Sequence, residues 1–432
     1  MGVGDQPAPI VVVGAGAAGL VAALFAARAG SRVIVVERTR DGGRKILISG
    51  GGRCNILPAA VQAERFVTAS SRHSLRNILR SWPLEEQIRF FERELGMRLV
   101  LETESGKWFP ETHRARDVRD RLLTRLRDAG AEIQLGVSVT EARPPADPSG
   151  RWTVALEHGQ VIAAAAVVLA TGGLSVPATG SDGTGLRIAR DLGHTVSPTY
   201  PALTPLRADP PVHAHLAGVS LTVTIRAPGR RPRFETHGGF LFTHRGYSGP
   251  AVLDASHLAT QSAGAAPPER QALLVQWTPW RRERWDRELR DGRGGVASFV
   301  ARHMPARLAE QLTGETGIPA GLTLAQLDRG ARSALVARLA EYPLPWSGSE
   351  GYRKAEVTGG GVALGEVDPV TMESRRQPGI FLCGEILDAF GPIGGHNFLW
   401  AWTTGRAAGL GAAARVSGSS TGVGDPPEFP GG

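Results

Sequence analysis

Four β-branched residues, Ile10 to Val13, run straight into Gly14-Ala15-Gly16-Ala17-Ala18-Gly19, and this junction constrains the fold more than any other stretch of the chain. A short apolar run bounded by a turn signal reads as a buried strand, and the alanine-rich Ala17 to Ala29 reads as a helix that stops at Gly30. Arg32 to Val36 is a second strand, so the chain begins with a βαβ unit. The glycines fit G-x-G-x-x-G between strand and helix, with Glu37 at about the 20-residue spacing that the pattern demands. Gly14 permits the tight turn, Gly16 lets the amides around Ala15 approach a pyrophosphate at the helix N-terminus, and Gly19, beside Ala18, lets helix and strand touch. Glu37 would accept hydrogen bonds from adenosine ribose hydroxyls, with Arg38 next to it. A glycine turn of purely structural purpose would not need strand, helix and acid in register.

An NAD site could end there, whereas FAD must also be gripped along its ribityl chain and ring by distant segments. The sequence has such segments in Asp41-Gly42-Gly43-Arg44, Ala170-Thr171-Gly172-Gly173 and Gly384-Glu385. With them the chain resembles the two-dinucleotide-binding-domain flavoproteins. That resemblance places Glu385 on the ribityl chain and Val139 by the adenine, and makes FAD the expected cofactor.

The resemblance narrows at Gly43-Arg44-Lys45-Ile46-Leu47-Ile48-Ser49-Gly50-Gly51-Gly52-Arg53-Cys54-Asn55, which looks like the signature of the BaiN/RdsA-type NAD(P)/FAD-dependent oxidoreductases, also called aminoacetone-oxidase-like flavoproteins. Further matches are Gly180 to Gly183, Leu241 to His244 with Ser248 to Pro250, Ala355 to Val362 and Gly384 to Asp388. The family implies an α/β fold: a Rossmann-like FAD-binding domain built from both chain ends, an inserted β-rich domain and a small helical subdomain. On this chain the FAD domain is expected at 1–200 and 351–415, the β-rich substrate domain at 201–262 and 313–350, the helical subdomain at 263–312, and a disordered tail at 416–432. Members of the family reduce activated C=C bonds, oxidise amines, or reduce a uridine of ribosomal RNA.

Flavin chemistry needs positive potential near N1 and O2, which a helix N-terminus can provide. Gly394-Gly395 leading into the last helix suits that role. The family pattern Gly-Pro-Thr-Gly-Gly-Tyr-Asn then Leu-Gln is replaced here by Gly391-Pro392-Ile393-Gly394-Gly395-His396-Asn397-Phe398-Leu399. Gly395, His396 and Asn397 are therefore expected at the cofactor. His396 is also the candidate proton donor, because an imidazole titrates near neutral pH, with a histidine held by packing as the competing reading. Lys45 is the second catalytic candidate, a point charge for the flavin edge or an anionic substrate, with an ordinary ion pair as its alternative.

Composition excludes several classes. Only Cys54 and Cys383 are present, without CxxC or zinc spacing, so neither a disulfide reductase nor a metal site is expected, and a reduced, cytoplasmic protein is. The longest apolar run, Val161 to Ala170, falls far short of the roughly 18 residues a membrane helix needs, and no basic n-region precedes the first strand. The formal charge of +8 is nearly all arginine, since there are only three lysines. Trp277, Trp280, Arg281, Arg282, Arg284 and Trp285 could bind phosphates and stack on bases, but Glu283, Asp286, Glu288 and Asp291 interleave with them, so nucleic acid is admitted and not favoured. The expected activity is hydride transfer from NAD(P)H through flavin N5 to a C=C or C=N bond of a small organic molecule. An oxygen-dependent amine or amino-ketone oxidase and a uridine-reducing RNA enzyme are the alternatives. No second G-x-G-x-x-G follows a strand, so NAD(P)H would dock transiently, and the oligomeric state stays open.

Overall fold

The computed structural model describes residues 7–147, 150–231, 233–266 and 269–420. They divide into two units, one made of residues up to 199 together with those from 357 onward, the other of Tyr200–Glu356.

The first unit is organised by a five-stranded parallel sheet in the order Ile380–Leu382, Ala166–Leu169, Ile10–Val13, Val33–Glu37, Glu132–Leu135. Its central strand pairs Ile10 with both Val33 and Ala166. Every residue of the three middle strands is buried, which is why, Glu37 at the end of its strand apart, they read as Val-rich apolar runs without alternation. The strand Ile380–Leu382 adds to this sheet from the far end of the sequence, so the unit is closed only when both chain ends are present.

Two helices from opposite ends also pack together, Ala17–Arg28 against His396–Ser420. Their contact depends on small residues. A Cβ on Gly405 would lie 2.4 Å from the Ala18 carbonyl oxygen, and one on Gly409 would lie 2.2 Å from that of Ala22. Backbone thus meets backbone, and alanine dominates the first helix for the same reason. Gly409→Leu should cost about 2–3 kcal/mol by overpacking, read as a lowered urea midpoint with an unchanged slope.

The second unit carries a seven-stranded sheet with Ser220–Ala227 and Phe234–Thr243 as its long central hairpin. The expected separate helical subdomain at 263–312 is not separate. Strand Leu274–Gln276 within that span joins the sheet, and Trp285, Leu289 and Leu308 from its helices share one apolar core with Phe240 and Val275. Helices also fall in the spans expected to be β-rich, at Pro250–Ser262 and Arg329–Ala340. Trp277 explains the merger: it packs at 5.2 and 5.7 Å from the rings of Phe240 and Phe242, tying this segment to the sheet.

The tail also differs from expectation. The last helix continues to Ser420, so 416–420 are helical, while 421–432 lie outside the described residues. The run of alanines from Ala412 carries the helix past the point where Gly and Ser begin. No helix among the described residues is long and apolar enough to cross a membrane.

Candidate active site

The turn after the first strand behaves as its glycines demand. Gly14 has φ +102°, and a Cβ there would sit 2.6 Å from the Ala170 carbonyl oxygen. At Gly19 a Cβ would lie 1.9 Å from the Gly14 oxygen. Gly16 differs, since a Cβ there would meet nothing within 4 Å. It also caps the first helix without any side-chain hydrogen bond, so the helix N-terminus opens onto free space with unsatisfied amides. A pyrophosphate fits such a cradle. Ala18, in contrast, is taken up by packing under Gly384, where a Cβ would lie 2.8 Å from its methyl.

Glu37 is buried at the mouth of this turn. Its Oε2 accepts from the Ala15 amide at 2.7 Å, and its Oε1 accepts from the amide and hydroxyl of Thr39 at 2.8 and 2.7 Å. A carboxylate oxygen offers about two lone pairs, so Oε2 retains one for a ribose hydroxyl. The Arg38 guanidinium is paired with Asp182 and reaches the Gly180 carbonyl, which places the Gly180 to Gly183 loop beside it. Val137 donates its amide to the Glu37 carbonyl at 3.0 Å, and Val139, two residues on, starts the strand Val139–Arg143 with its side chain buried.

Downstream, Gly43 has φ +63° and donates its amide to the Ala15 carbonyl at 2.8 Å, linking the two glycine turns. Arg44 is held by Asp41 at 2.6 Å and by the Ala178 carbonyl at 3.1 Å. Gly172, with φ +71°, leaves room for Ser181, while Thr171 packs against Gly185.

A dense polar cluster surrounds Glu385. Lys45 Nζ lies 2.6 Å from Glu385 Oε2 and 2.6 Å from Ser175 Oγ. Glu385 Oε1 accepts from the Thr358 amide at 3.0 Å, from the Thr358 hydroxyl at 2.8 Å and from Ser175. Thr358 Oγ1 in turn accepts from the amides of Leu174 and Ser175 at 2.7 and 3.1 Å. Lys45 is therefore no free cation for the flavin edge, because Glu385 neutralises it. Ser175 and Thr358 complete this cluster, and neither is singled out by the sequence alone. The signal available was Thr358 in Ala355 to Val362, a motif without an assigned role.

At the last helix, the Asn397 side chain is committed to the backbone of Gly391, accepting from its amide at 2.9 Å and donating to its carbonyl at 3.0 Å. It shapes the loop and does not stand free for a ligand. Gly395 has φ +93° and presses on Leu57, whose carbonyl carbon would be 2.5 Å from a Cβ. His396, the first helical residue, is 5% exposed, and neither ring nitrogen has a hydrogen-bond partner among the described residues. Burial, reinforced by the nearby Arg65 charge, pushes its pKa down to about 4, against the opposing effect of backbone groups of Ile393, Ala60 and Pro392, which lie near the ring without completing a hydrogen bond to it. The imidazole is neutral near pH 7 and cannot supply a proton as imidazolium there. A buried polar ring lacking partners at a helix N-terminus suits a planar hydrogen-bonding group such as a flavin edge.

Cys54 is buried, and burial pushes its thiol up to about 12, so it is inert as a nucleophile. Among the described residues no group of three or more His, Cys, Asp or Glu is arranged to hold a metal ion.

A family model described as the HI0933-like protein Rossmann domain matches residues 8–411. The chain belongs to the HI0933-like family. It is 32% identical over 407 residues to the ribosomal RNA dihydrouridine synthase of Escherichia coli, covering 91% of this chain and 95% of that protein. It is equally 32% identical over 416 residues to the 3-dehydro-bile acid delta(4,6)-reductase of Clostridium scindens, covering 94% and 99%. Among solved structures, the 3-ketosteroid-delta4-(5alpha)-dehydrogenase of Rhodococcus jostii RHA1 aligns with a TM-score of 0.50 at 15% identity, covering 95% of this chain and 97% of that one, and so shares the fold. These relatives are of the kind that the Gly43 to Asn55 signature pointed to, and this member of the family is an FAD-dependent oxidoreductase.

Proposed function

We propose that the protein is an NAD(P)H-driven reductase of a C=C bond, or an isoelectronic C=N bond, in a small organic substrate. The names of the two relatives share one chemistry, saturation of a ring double bond, in a bile acid or in a uridine. The choice between a small molecule and RNA rests on the Arg/Trp stretch of the second unit. Trp277 and Trp285 are 1% and 0% exposed and belong to the core. Arg282 pairs with Glu341 at 2.6 Å, Arg284 with Glu288 at 3.9 Å, and Asp286 with Arg332 at 2.9 Å. Arg281 stays exposed and Trp280 is half-buried beneath the Arg284 guanidinium, but paired arginines and the core tryptophans Trp277 and Trp285 leave little of this stretch for phosphate contacts and base stacking.

Residues Gly14 to Gly19 and Glu37 would hold the adenosine and pyrophosphate, the Lys45–Glu385–Ser175–Thr358 cluster the ribityl chain, and the Gly394 to His396 turn the ring. FAD held there would supply the hydride-transfer chemistry between a nicotinamide and the substrate. The chain's part is positional: the cluster fixes Glu385, Asn397 fixes the Gly391 loop, and neutral His396 offers a hydrogen bond without a charge. With His396 unprotonated, the proton that follows the hydride comes from another group or from water. Two buried free thiols are in keeping with a reducing, cytoplasmic setting.

The test is an anaerobic addition of NADH or NADPH to the yellow protein. Bleaching within seconds, followed by recovery of colour with a 3-keto-4-ene bile acid and none with ribosomal RNA, is the expected result. Recovery with RNA alone would move the substrate to nucleic acid. Absence of bleaching by either nucleotide, with bleaching by amines, would replace the reductase by an oxidase.

A further inference from the structure

The lysines are not equivalent. Lys45 is neutralised by Glu385, but Lys107 has no carboxylate within 4.0 Å among the described residues. Its cross-strand neighbour Glu102 is already engaged by Arg53 at 3.1 Å and by Ser105. Lys107 instead lays its stem along the turn at the start of the last helix. A Cβ on Gly394 would meet Lys107 Cε at 3.2 Å, Cγ at 3.7 Å and Cδ at 3.9 Å, and Gly394 has φ +109°. The pairing of Pro58 with Lys107 makes this placement rigid, because Gly395 presses on Leu57 and Pro58 in the partner strand.

Two further features share that turn. One is the N-terminus of a 25-residue helix, whose first amides have no intrahelical partner. The other is His396, 5% exposed, with both ring nitrogens lacking partners. An unpaired ammonium, helix-end amides and an unsatisfied imidazole within three residues of one turn form a site for an electron-rich, planar, hydrogen-bonding group. We infer that Lys107 is the cation facing the N1–C2 carbonyl edge of the flavin ring, a role that the sequence reading gave to Lys45. This rests on the FAD reading above. Electrons arriving at N5 leave negative charge on N1 and O2, and an ammonium held in no close ion pair, although Glu102 across the strand feels its charge, stabilises it, raising the affinity of the oxidised ring for nucleophiles and electrons.

Sulfite tests this without turnover. Its sulfur lone pair forms a bond to N5, and one electron pair shifts to N1 and the C2 carbonyl, with no other reactant consumed. In the FAD-loaded protein, Lys107→Met should raise the sulfite Kd about tenfold and lower the two-electron midpoint potential by about 30 mV, the equivalent of tenfold. Lys107→Arg should keep both near the wild-type values. If the Met variant melts like wild type but sheds FAD, while the Arg variant retains it, the contact is supported by affinity instead. Lys107→Gln replaces the Met variant should that one aggregate. A Met or Gln variant with FAD bound and both quantities unchanged overturns the inference. A wild-type protein that takes up no FAD overturns the cofactor reading beneath it.

Discussion

Glu385→Leu should leave the protein colourless and lower its stability by about 3 kcal/mol. Breaking a buried ion pair costs roughly 3–5 kcal/mol, and the lower end applies because Lys45 and Glu385 keep 24% and 16% exposure. The loss has two parts. Lys45 is stranded as an unpaired cation, and the Thr358 amide, the Thr358 hydroxyl and the Ser175 hydroxyl lose their common acceptor. Glu385→Gln retains an acceptor for Thr358 and Ser175 but not the charge, and should fall between wild type and Glu385→Leu. Adding Lys45→Met to Glu385→Leu removes the stranded charge, so the double variant should be more stable than the sum of the single losses by about 1 kcal/mol or more. Urea unfolding of the wild-type, Glu385→Leu, Lys45→Met and double-variant apoproteins measures this. Strict additivity would show that the pair contributes nothing as a unit, and full flavin retention in Glu385→Leu would remove the acid from the cofactor site.

That cluster also shows what could be read in advance and what could not. Glu385 was visible because it follows a strand and a glycine, a local pattern. Its partners were not, because Ser175 lies 210 residues away and Thr358 lies 27 away, and only the folded sheet brings them together. Lys45 was found as a rare cation, yet its charge is cancelled by a residue 340 positions distant. Lys107 is silent in the sequence because only the fold brings its stem beside Gly394, with which it shares no motif. The parallel sheet was legible through its all-apolar strands, whereas the merging of the helices with the β-rich core was not, because Trp277 looks the same in sequence whether it stacks on a base or on Phe242. His396 is a similar case. Its type suggested titration near neutrality, and burial among Phe66, Gly391 and the helix start withdraws it from that range.

The three glycines of the first turn should separate folding from cofactor binding, because one motif places them in three different environments. Gly16 has φ −77° and ψ −173°, which alanine adopts freely, and its Cβ would point into open space. Alanine is a poorer helix cap than glycine, by up to about 1 kcal/mol, but it also restricts the unfolded chain by about 0.4–1 kcal/mol, so the two effects nearly cancel. Gly16→Ala should therefore fold with near-normal stability while its methyl occupies the room a pyrophosphate needs, weakening FAD by about 100-fold, or about 2.7 kcal/mol. Gly14→Ala and Gly19→Ala should fail differently. Their methyls would fall 2.6 and 1.9 Å from carbonyl oxygens of the protein itself, so backbone must move whether or not a ligand is present. Both should lose about 2 kcal/mol or more of stability in the apoprotein, with flavin loss as a consequence. Urea curves of the apoproteins beside FAD titrations decide the matter. If Gly16→Ala bound FAD normally, the open space at that helix N-terminus would not be where the pyrophosphate lies, and the amides at the start of the first helix would lose their assigned role.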